Sequence, residues 1–251
     1  MPILGNTMMI SAVAGTAVYD IITSSNTTSF NLRTALDALG FNNSQPSQIT
    51  YTLESGVTIG GSSTPAWQTG TISPNHTLVI TINGSILGGA GGGAAQTTRP
   101  ASATCYSVNG QTGGDAMYFE ASGPTATVTF ASSAVLRGGG GGGGSGGSSW
   151  VDEEKGPGNW RAYGGAGGDG QGYSNESGPS SGSSGQVDTN ATGGTGATGG
   201  AWGTVGGIGE SGNGDITCTG GSGGVAGYYV RKNSNTVNIT DNGATTSGLI
   251  G

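Results

Sequence analysis

The sequence predicts a mostly β and irregular fold: short strands and one small helix, followed by a packed sandwich of polyglycine-II segments that displays loops. Three observations lead there. Apolar and polar residues alternate with period two in several short runs between Ile49 and Ile239. The stretch from Arg137 to Gly227 is dominated by glycine and opens on the unbroken run Gly138 to Gly144. Only 8% of the 251 residues are charged, too few for the charge-rich class of disordered chains.

In chain order, Met1 to Ser29 is small, polar and mildly apolar, and reads as a docking segment. Leu32, Ala35, Leu36 and Leu39 then recur at i, i+3, i+4 and i+7, which predicts one short amphipathic helix. Ser29 or Asn31 serves as its N-cap and Gly40 as its stop. From Gln48 the period changes to two: Ile49, Tyr51 and Leu53 form one strand, Val57 and Ile59 a second after the Ser55-Gly56 turn, and Leu78, Ile80 and Ile82 a third that ends at Asn83-Gly84. The run Thr77–Ile82 has two later counterparts, Thr125–Phe130 and Thr236–Thr240. The later two share a preface, Ala116-Met117-Tyr118-Phe119 and Gly227-Tyr228-Tyr229-Val230. A repeated strand–turn–glycine unit predicts stacked coils, each burying a face on the next.

The glycine tract admits two readings, a solvated linker and a packed array. A linker needs no large residues, yet this one carries Trp150, Trp160, Tyr163, Tyr173, Trp202, Val205, Ile208, Ile216 and Val225. A polyproline-II-like segment has three residues per turn and no internal hydrogen bonds, so its amides must bond to neighbouring segments. Glycine alone lets backbones approach that closely, while the irregular spacing and the 8 prolines rule out collagen. The expected organisation is a docking segment over 1–29, a helix-plus-β base over 30–136, the glycine array over 137–227 and closing strands over 228–251.

Composition excludes several functions. A net charge of −7 with seven Lys plus Arg leaves no basic face for nucleic acid and no polybasic membrane anchor. No apolar run reaches transmembrane length, and Ile3 to Val18 lacks the basic start of a signal peptide, which points to synthesis in the cytoplasm of the producing cell. One histidine, His76, and no CxxC leave no metal site of ordinary spacing and no cofactor motif. Cys105 and Cys218 read as buried free thiols, with a bridge between the glycine-rich regions as the alternative. No nucleophile elbow or phosphate loop is present, Asp152-Glu153-Glu154 reads as a solvated acidic patch, and Gly164 to Asp169 matches a calcium β-roll repeat only once, so no enzyme is expected.

Binding is better supported. Side chains concentrate between the glycine runs: Trp150, Asp152, Trp160, Arg161 and Tyr163 in the first insertion, Tyr173 in the second and Trp202 near the third. Trp, Tyr and Arg anchor interfaces, and loops on a rigid scaffold are the usual seat of recognition. The bland alternative is that Trp150, Trp160 and Trp202 cap the array as a small core.

The residues Ile80-Thr81-Ile82-Asn83-Gly84-Ser85-Ile86 with Gly88 to Gly93, Val128-Thr129-Phe130 with Gly138 to Gly144, and the ending from Tyr228 to Gly251 resemble the glycine-rich tail-fibre proteins of tailed bacteriophages. The architecture is similar to the fibre-tip adhesins of T-even-type phages. That resemblance implies a virion protein of the distal tail, whose polyglycine segments pack as a sandwich and whose loops bind a host surface glycan or outer-membrane protein. It implies other tail proteins as partners, with a homotrimer one possible state. Two further readings stay open: a purely structural tail component, and a glycine-rich ice-binding protein, hinted at by Thr189, Thr192, Thr195, Thr198 and Thr204.

Overall fold

The computed structural model describes residues 6–13, 16–62, 64–97, 105–151 and 160–251. They fall into two compact units, one made of Met1–Gly88, Asp115–Arg137 and Tyr228–Gly251, the other of Gly89–Gly114 and Gly138–Gly227. Strands dominate and the one helix among the described residues is short, as the alternation predicts.

The first unit is a three-sided stack of coils. Strand β1 (Asn6–Val13) pairs antiparallel with β2 (Thr16–Thr23), which opens the first coil. The coil continues through β3 (Thr27–Thr28) and β4 (Phe30–Asn31) into α1 (Leu32–Ala38). The second coil is β5 (Ser47–Leu53), β6 (Thr58–Gly60) and β7 (Trp67–Gln68). The third is β8 (Thr77–Ile82), β9 (Ser85–Leu87) and β10 (Met117–Tyr118). The fourth begins with β11 (Ala126–Phe130) and β12 (Val135–Arg137). After β13 (Ser149–Val151), β14 (Trp160–Ala162) and β15 (Ile216–Thr217), which belong to the second unit, it closes with β16 (Tyr228–Arg231). The fifth is β17 (Val237–Asp241), β18 (Thr245–Ser247) and β19 (Leu249–Ile250). Equivalent strands of successive coils pair in parallel, giving the orders β2-β5-β8-β11-β17, β3-β6-β9-β12-β18 and β4-β7-β10-β16-β19 on the three sides.

Stacking follows from the alternation. Tyr51, Ile80 and Val128 stand in register and are buried, as are Leu53, Ile82 and Phe130 one pleat further. The three runs aligned in the sequence are neighbours in space, since Val128 pairs with both Ile80 and Ile239. Their shared preface pairs as well, Met117 with Val230. Inside the stack, Phe30, Tyr51, Trp67 and Phe119 make successive ring contacts with centroids 5.1, 5.5 and 5.6 Å apart. Asn31 caps α1, its Oδ1 accepting from the Thr34 amide at 3.1 Å, and Gly40 ends it with a left-handed φ of 74°. His76 is buried with Nε2 3.1 Å from the Asn43 carbonyl, and the described residues contain no cluster suited to a metal ion.

The second unit is built from extended segments held by neighbours. Along residues 138–148, successive amides donate to three different segments. Gly139, Gly142, Ser145 and Ser148 bond to the carbonyls of Gly114, Gln111, Val108 and Tyr106; Gly140, Gly143 and Gly146 to those of Gln171, Gly168 and Gly165; Gly141, Gly144 and Gly147 to those of Thr204, Gly207 and Glu210, all at 2.7–3.2 Å. The carbonyls of Gly141, Gly144 and Gly147 accept from Gly200, Ala197 and Gly194. Those of Gly142, Ser145 and Ser148 accept from Gly224, Gly221 and Cys218, and those of Gly140 and Gly143 from Gly91 and Ala94. The central segment thus bonds to six others with a period of three residues, whereas a strand would alternate between two neighbours. Residues 138–149 are all buried. A Cβ on Gly142 would overlap the Gly92 carbonyl, which is why no larger residue fits there.

The pairing also fixes direction. Segments 89–97, 138–148, 180–186 and 204–210 run one way; 106–114, 164–172, 194–200 and 218–227 run back. The chain enters and leaves this unit at Gly89, Gly114, Gly138 and Gly227, which define its root end. The turns between outgoing and returning segments gather at the far end.

Candidate functional site

At the far end the chain leaves the array after Thr97 and is back at Cys105, leaves again through Ser149–Val151 and is back at Trp160–Ala162, and turns over residues 187–193 and 211–217. Two connections lie at the root end, residues 173–179 and 201–203. At the far end the outgoing segment 138–148 continues past the array, because the backbone departs from the three-residue bonding and turns into ordinary strand pairs. β13 pairs antiparallel with β14 and with β15, setting Trp150 opposite both Arg161 and Ile216. The 187–193 connection joins this sheet: Ser149 Oγ donates to the Thr192 carbonyl at 2.9 Å, and Thr192 and Asn213 exchange backbone hydrogen bonds of 2.9 and 2.7 Å. Asp188 Oδ2 accepts from the Arg161 amide at 3.4 Å, and Asp188 Oδ1 accepts from the Thr189 amide at 2.9 Å. Beneath lies a small apolar cluster of Val151, Ala162 and Ala191.

The residues expected to bind therefore divide between the two ends. Trp150, Arg161 and Tyr163 are half-buried at the far end. The Trp150 indole N–H is buried and has no hydrogen-bond partner among the described residues. Tyr163 stands where β14 gives way to the array, its carbonyl accepting from the Gln186 amide at 2.9 Å. Asp152 and the Trp160 side chain lie outside the described residues, although the Trp160 backbone pairs with Val151 in β14. Tyr173 and Trp202, both half-buried, are at the root end. Gln171 links their connections: its Nε2 donates to the Glu176 carbonyl at 2.8 Å, and its Oε1 accepts from the Trp202 amide at 3.2 Å. Beside them opens a polar cleft lined by Gly91, Gly92, Asp169, Ser174, Asn175 and Ser180. Ten residues of extended chain, roughly 30 Å, separate the two groups.

Sequence reasoning passed over Ser145 and Ser148, which sit inside the glycine run and are fully buried. Their hydroxyl oxygens accept from the Val108 amide at 2.8 Å and the Tyr106 amide at 3.2 Å, so each serine tethers the chain that returns from the first far-end connection. Ile216 stood out only as one of the large residues of the tract, and its place beside Trp150 follows from strand pairing alone.

The cysteines correct an expectation. They are not buried free thiols but a disulfide, Cys105–Cys218, with Cα atoms 5.1 Å apart. Ser148 brings them together, because its amide and carbonyl bond to Tyr106 and Cys218, the residues beside and at the bridge. Cys105 is exposed. The threonines that hinted at an ice-binding face form no single row: Thr195 and Thr198 share one segment, Thr189 and Thr192 lie in a far-end connection, and Thr204 begins another segment.

No helix among the described residues is long and apolar enough to cross a membrane. No curated protein matches the chain. Among solved structures it is similar to the gp37-gp38 adhesin tip complex of the bacteriophage S16 long tail fibre, at 18% identity and a TM-score of 0.42, with 92% of this chain and 82% of that chain covered. Residues 17–250 match the model of the phage tail fibre adhesin Gp38 family. With nearly its whole length inside that match, the chain belongs to the phage tail fibre adhesin Gp38 family and is a receptor-binding adhesin of the virion tail.

Proposed function

We propose that this adhesin recognises a host surface glycan or outer-membrane protein through its far-end connections, and that the array beneath is a polyglycine-II sandwich whose task is to hold them rigid. The carrying observation is the convergence of Trp150, Arg161 and Ile216 on one small sheet at the end of the unit remote from the chain's entry points. The three-residue bonding period of residues 138–148 supports the polyglycine-II reading, since that conformation turns once every three residues and bonds only outward. Binding, not catalysis, is the role in this reading: among the described residues the far end offers aromatic, guanidinium and carboxylate groups with no histidine or cysteine nucleophile positioned by a base. Asp152, Trp160 and Tyr163 belong to the same surface in this reading, and Tyr173 and Trp202 to a second contact area. The partners on the virion side are other tail-fibre proteins, met through the docking segment 1–29. The protein is made in the host cytoplasm, and light scattering of the purified protein distinguishes a single chain from a homotrimer.

A second reading, a purely structural tail component, draws on the exposed Val205, Ile208 and Val225, 64%, 74% and 54% accessible on the flank of the array, which suit contact with a neighbouring subunit. One experiment separates the two. Labelled protein is bound to cells of the host on which the parent phage plates, comparing wild type with Trp150→Ala/Arg161→Ala and with Tyr173→Ala/Trp202→Ala, thermal unfolding serving as the folding control. Loss of binding by at least tenfold in the first pair, at unchanged Tm, is expected. Loss confined to the second pair moves the site to the root end. No wild-type binding to that host favours the structural component.

A further inference from the structure

The bridge joins the two separate stretches that build the array, since Cys105 lies in Gly89–Gly114 and Cys218 in Gly138–Gly227. It sits at the far end, where Cys105 ends one connection and Cys218 another; the Gly212 amide donates to the Cys218 carbonyl at 3.0 Å and closes the latter. The two cysteines are unlike. Cys105 is exposed, whereas Cys218 is 2% accessible. Reducing cytosol keeps thiols apart, and a virion works outside the cell.

We propose that Cys105 and Cys218 form a two-step oxidation site, completed after the protein leaves the producing cell, in which Cys105 is the attacking thiol and Cys218 the resolving one. This rests on the tail-adhesin reading only for its timing. The oxidant is a low-molecular-weight disulfide of the glutathione type. The Cys105 thiolate attacks one sulfur of that disulfide, forming a mixed disulfide and releasing one small thiol. The Cys218 thiolate then attacks the Cys105 sulfur, forming the protein bridge and releasing the second small thiol. Two protein thiols lose two protons and two electrons, and one disulfide becomes two thiols. The order follows from access, because Cys105 lies on the surface and Cys218 beneath it, so a bulky reagent meets Cys105 first. The product staples the first far-end connection to the one that pairs with Trp150 through β15.

The test reads mass and melting, and needs no host cell. The full chain is produced in a reducing cytosol, quenched in intact cells with iodoacetamide, and compared with chain treated with oxidised glutathione before quenching. In the first sample Cys105 is expected alkylated and Cys218 a free thiol that reacts once the chain is unfolded, and in the second the two are expected linked. Cys218→Ala is expected to trap one glutathione on Cys105; Cys105→Ser is expected to leave Cys218 unmodified. Reductant should lower the wild-type Tm by about 5–15 °C and leave that of Cys105→Ser unmoved. A bridge already present in the quenched cells overturns the timing. Equal glutathione uptake by the two single variants overturns the assigned order. An unmoved wild-type Tm overturns the staple. Host binding is scored separately, so failure of the adhesin reading leaves these outcomes legible.

Discussion

At the residue scale the array is held by what is missing from it. A methyl group at Gly142 would meet the Gly92 carbonyl, a backbone atom that cannot turn aside, whereas one at Gly92 would meet only Gln111 Oε1, at 3.0 Å, on a movable side chain. Gly142→Ala is therefore expected to cost about 3 kcal/mol or more, and Gly92→Ala under about 1 kcal/mol, in thermal or chemical unfolding. Tyr51 shows the complementary case of a polar atom kept inside. Its hydroxyl donates to Thr23 Oγ1 at 3.1 Å, and burial pushes it above the usual tyrosine range. Because the folded group holds its proton more tightly than the unfolded one, this contribution is whole below the ordinary value of about 10 and is lost as pH rises beyond it. Denaturation at pH 8 and pH 10.5 should show a loss of stability that Tyr51→Phe diminishes.

At the scale of elements, the coils depend on how the chain is pinned where it returns from the array. Asp115 accepts from the Tyr228 amide at 2.8 Å and from Arg231 Nε and Nη2 at 2.5 and 3.0 Å, with its side chain 7% accessible. The bidentate bond raises the Arg231 pKa further above its ordinary value. Asp115→Ala leaves that guanidinium and one amide without their acceptor and is expected to cost about 2–3 kcal/mol. The exposed Arg33–Asp37 pair, 2.7 Å long at i and i+4 on α1, supplies the contrast: Asp37→Ala should cost about 0.3–0.5 kcal/mol. Urea denaturation of the two variants checks the ranking. These elements differ in how far the chain announces them. Leu32, Ala35, Leu36 and Leu39 are spaced for a helix, and Ile49 to Ile82 for strands, so both could be read directly. The strands β4 and β7 are two residues long and show no period, so on the third side of the stack, with Trp67 buried in it, only the shared preface of β10 and β16 could be read.

For the whole molecule, the second unit is an insertion at one corner of two adjacent coils, between β9 and β10 and between β12 and β16. The fifth coil shows that corner without an insertion: β18 ends at Ser247, Gly248 turns, and β19 begins at Leu249. Ser247 is in register with Arg137 and through it with Leu87, and Leu249 with Tyr228. Joining Gly88 to Asp115 and Gly138 to Tyr228 should therefore leave a five-coil stack that unfolds cooperatively, with β-type circular dichroism and no host binding. Hydrogen exchange protecting the amides of β8 and β11 would show that the stack had survived. Such an interruption is hard to read in sequence, because Met117–Tyr118 and Tyr228–Arg231 continue coils whose earlier strands lie far upstream. The far end was legible in composition only. Trp150, Arg161, Tyr163, Tyr173 and Trp202 stand out as side chains among glycines, but which of them meet depends on segment direction, set by backbone bonds that any glycine can make.

That bonding also determines how the protein carries tension. A pull applied at a far-end connection acts along the segments, while their hydrogen bonds run across them. Sliding residues 138–148 past their neighbours would strain the bonds to all six at once, in shear, so none can be opened singly from an end as in an unzipping hairpin. The same array, whose central segment holds nothing larger than serine, is thereby suited to carry load between its far end and the four points where the chain enters and leaves it.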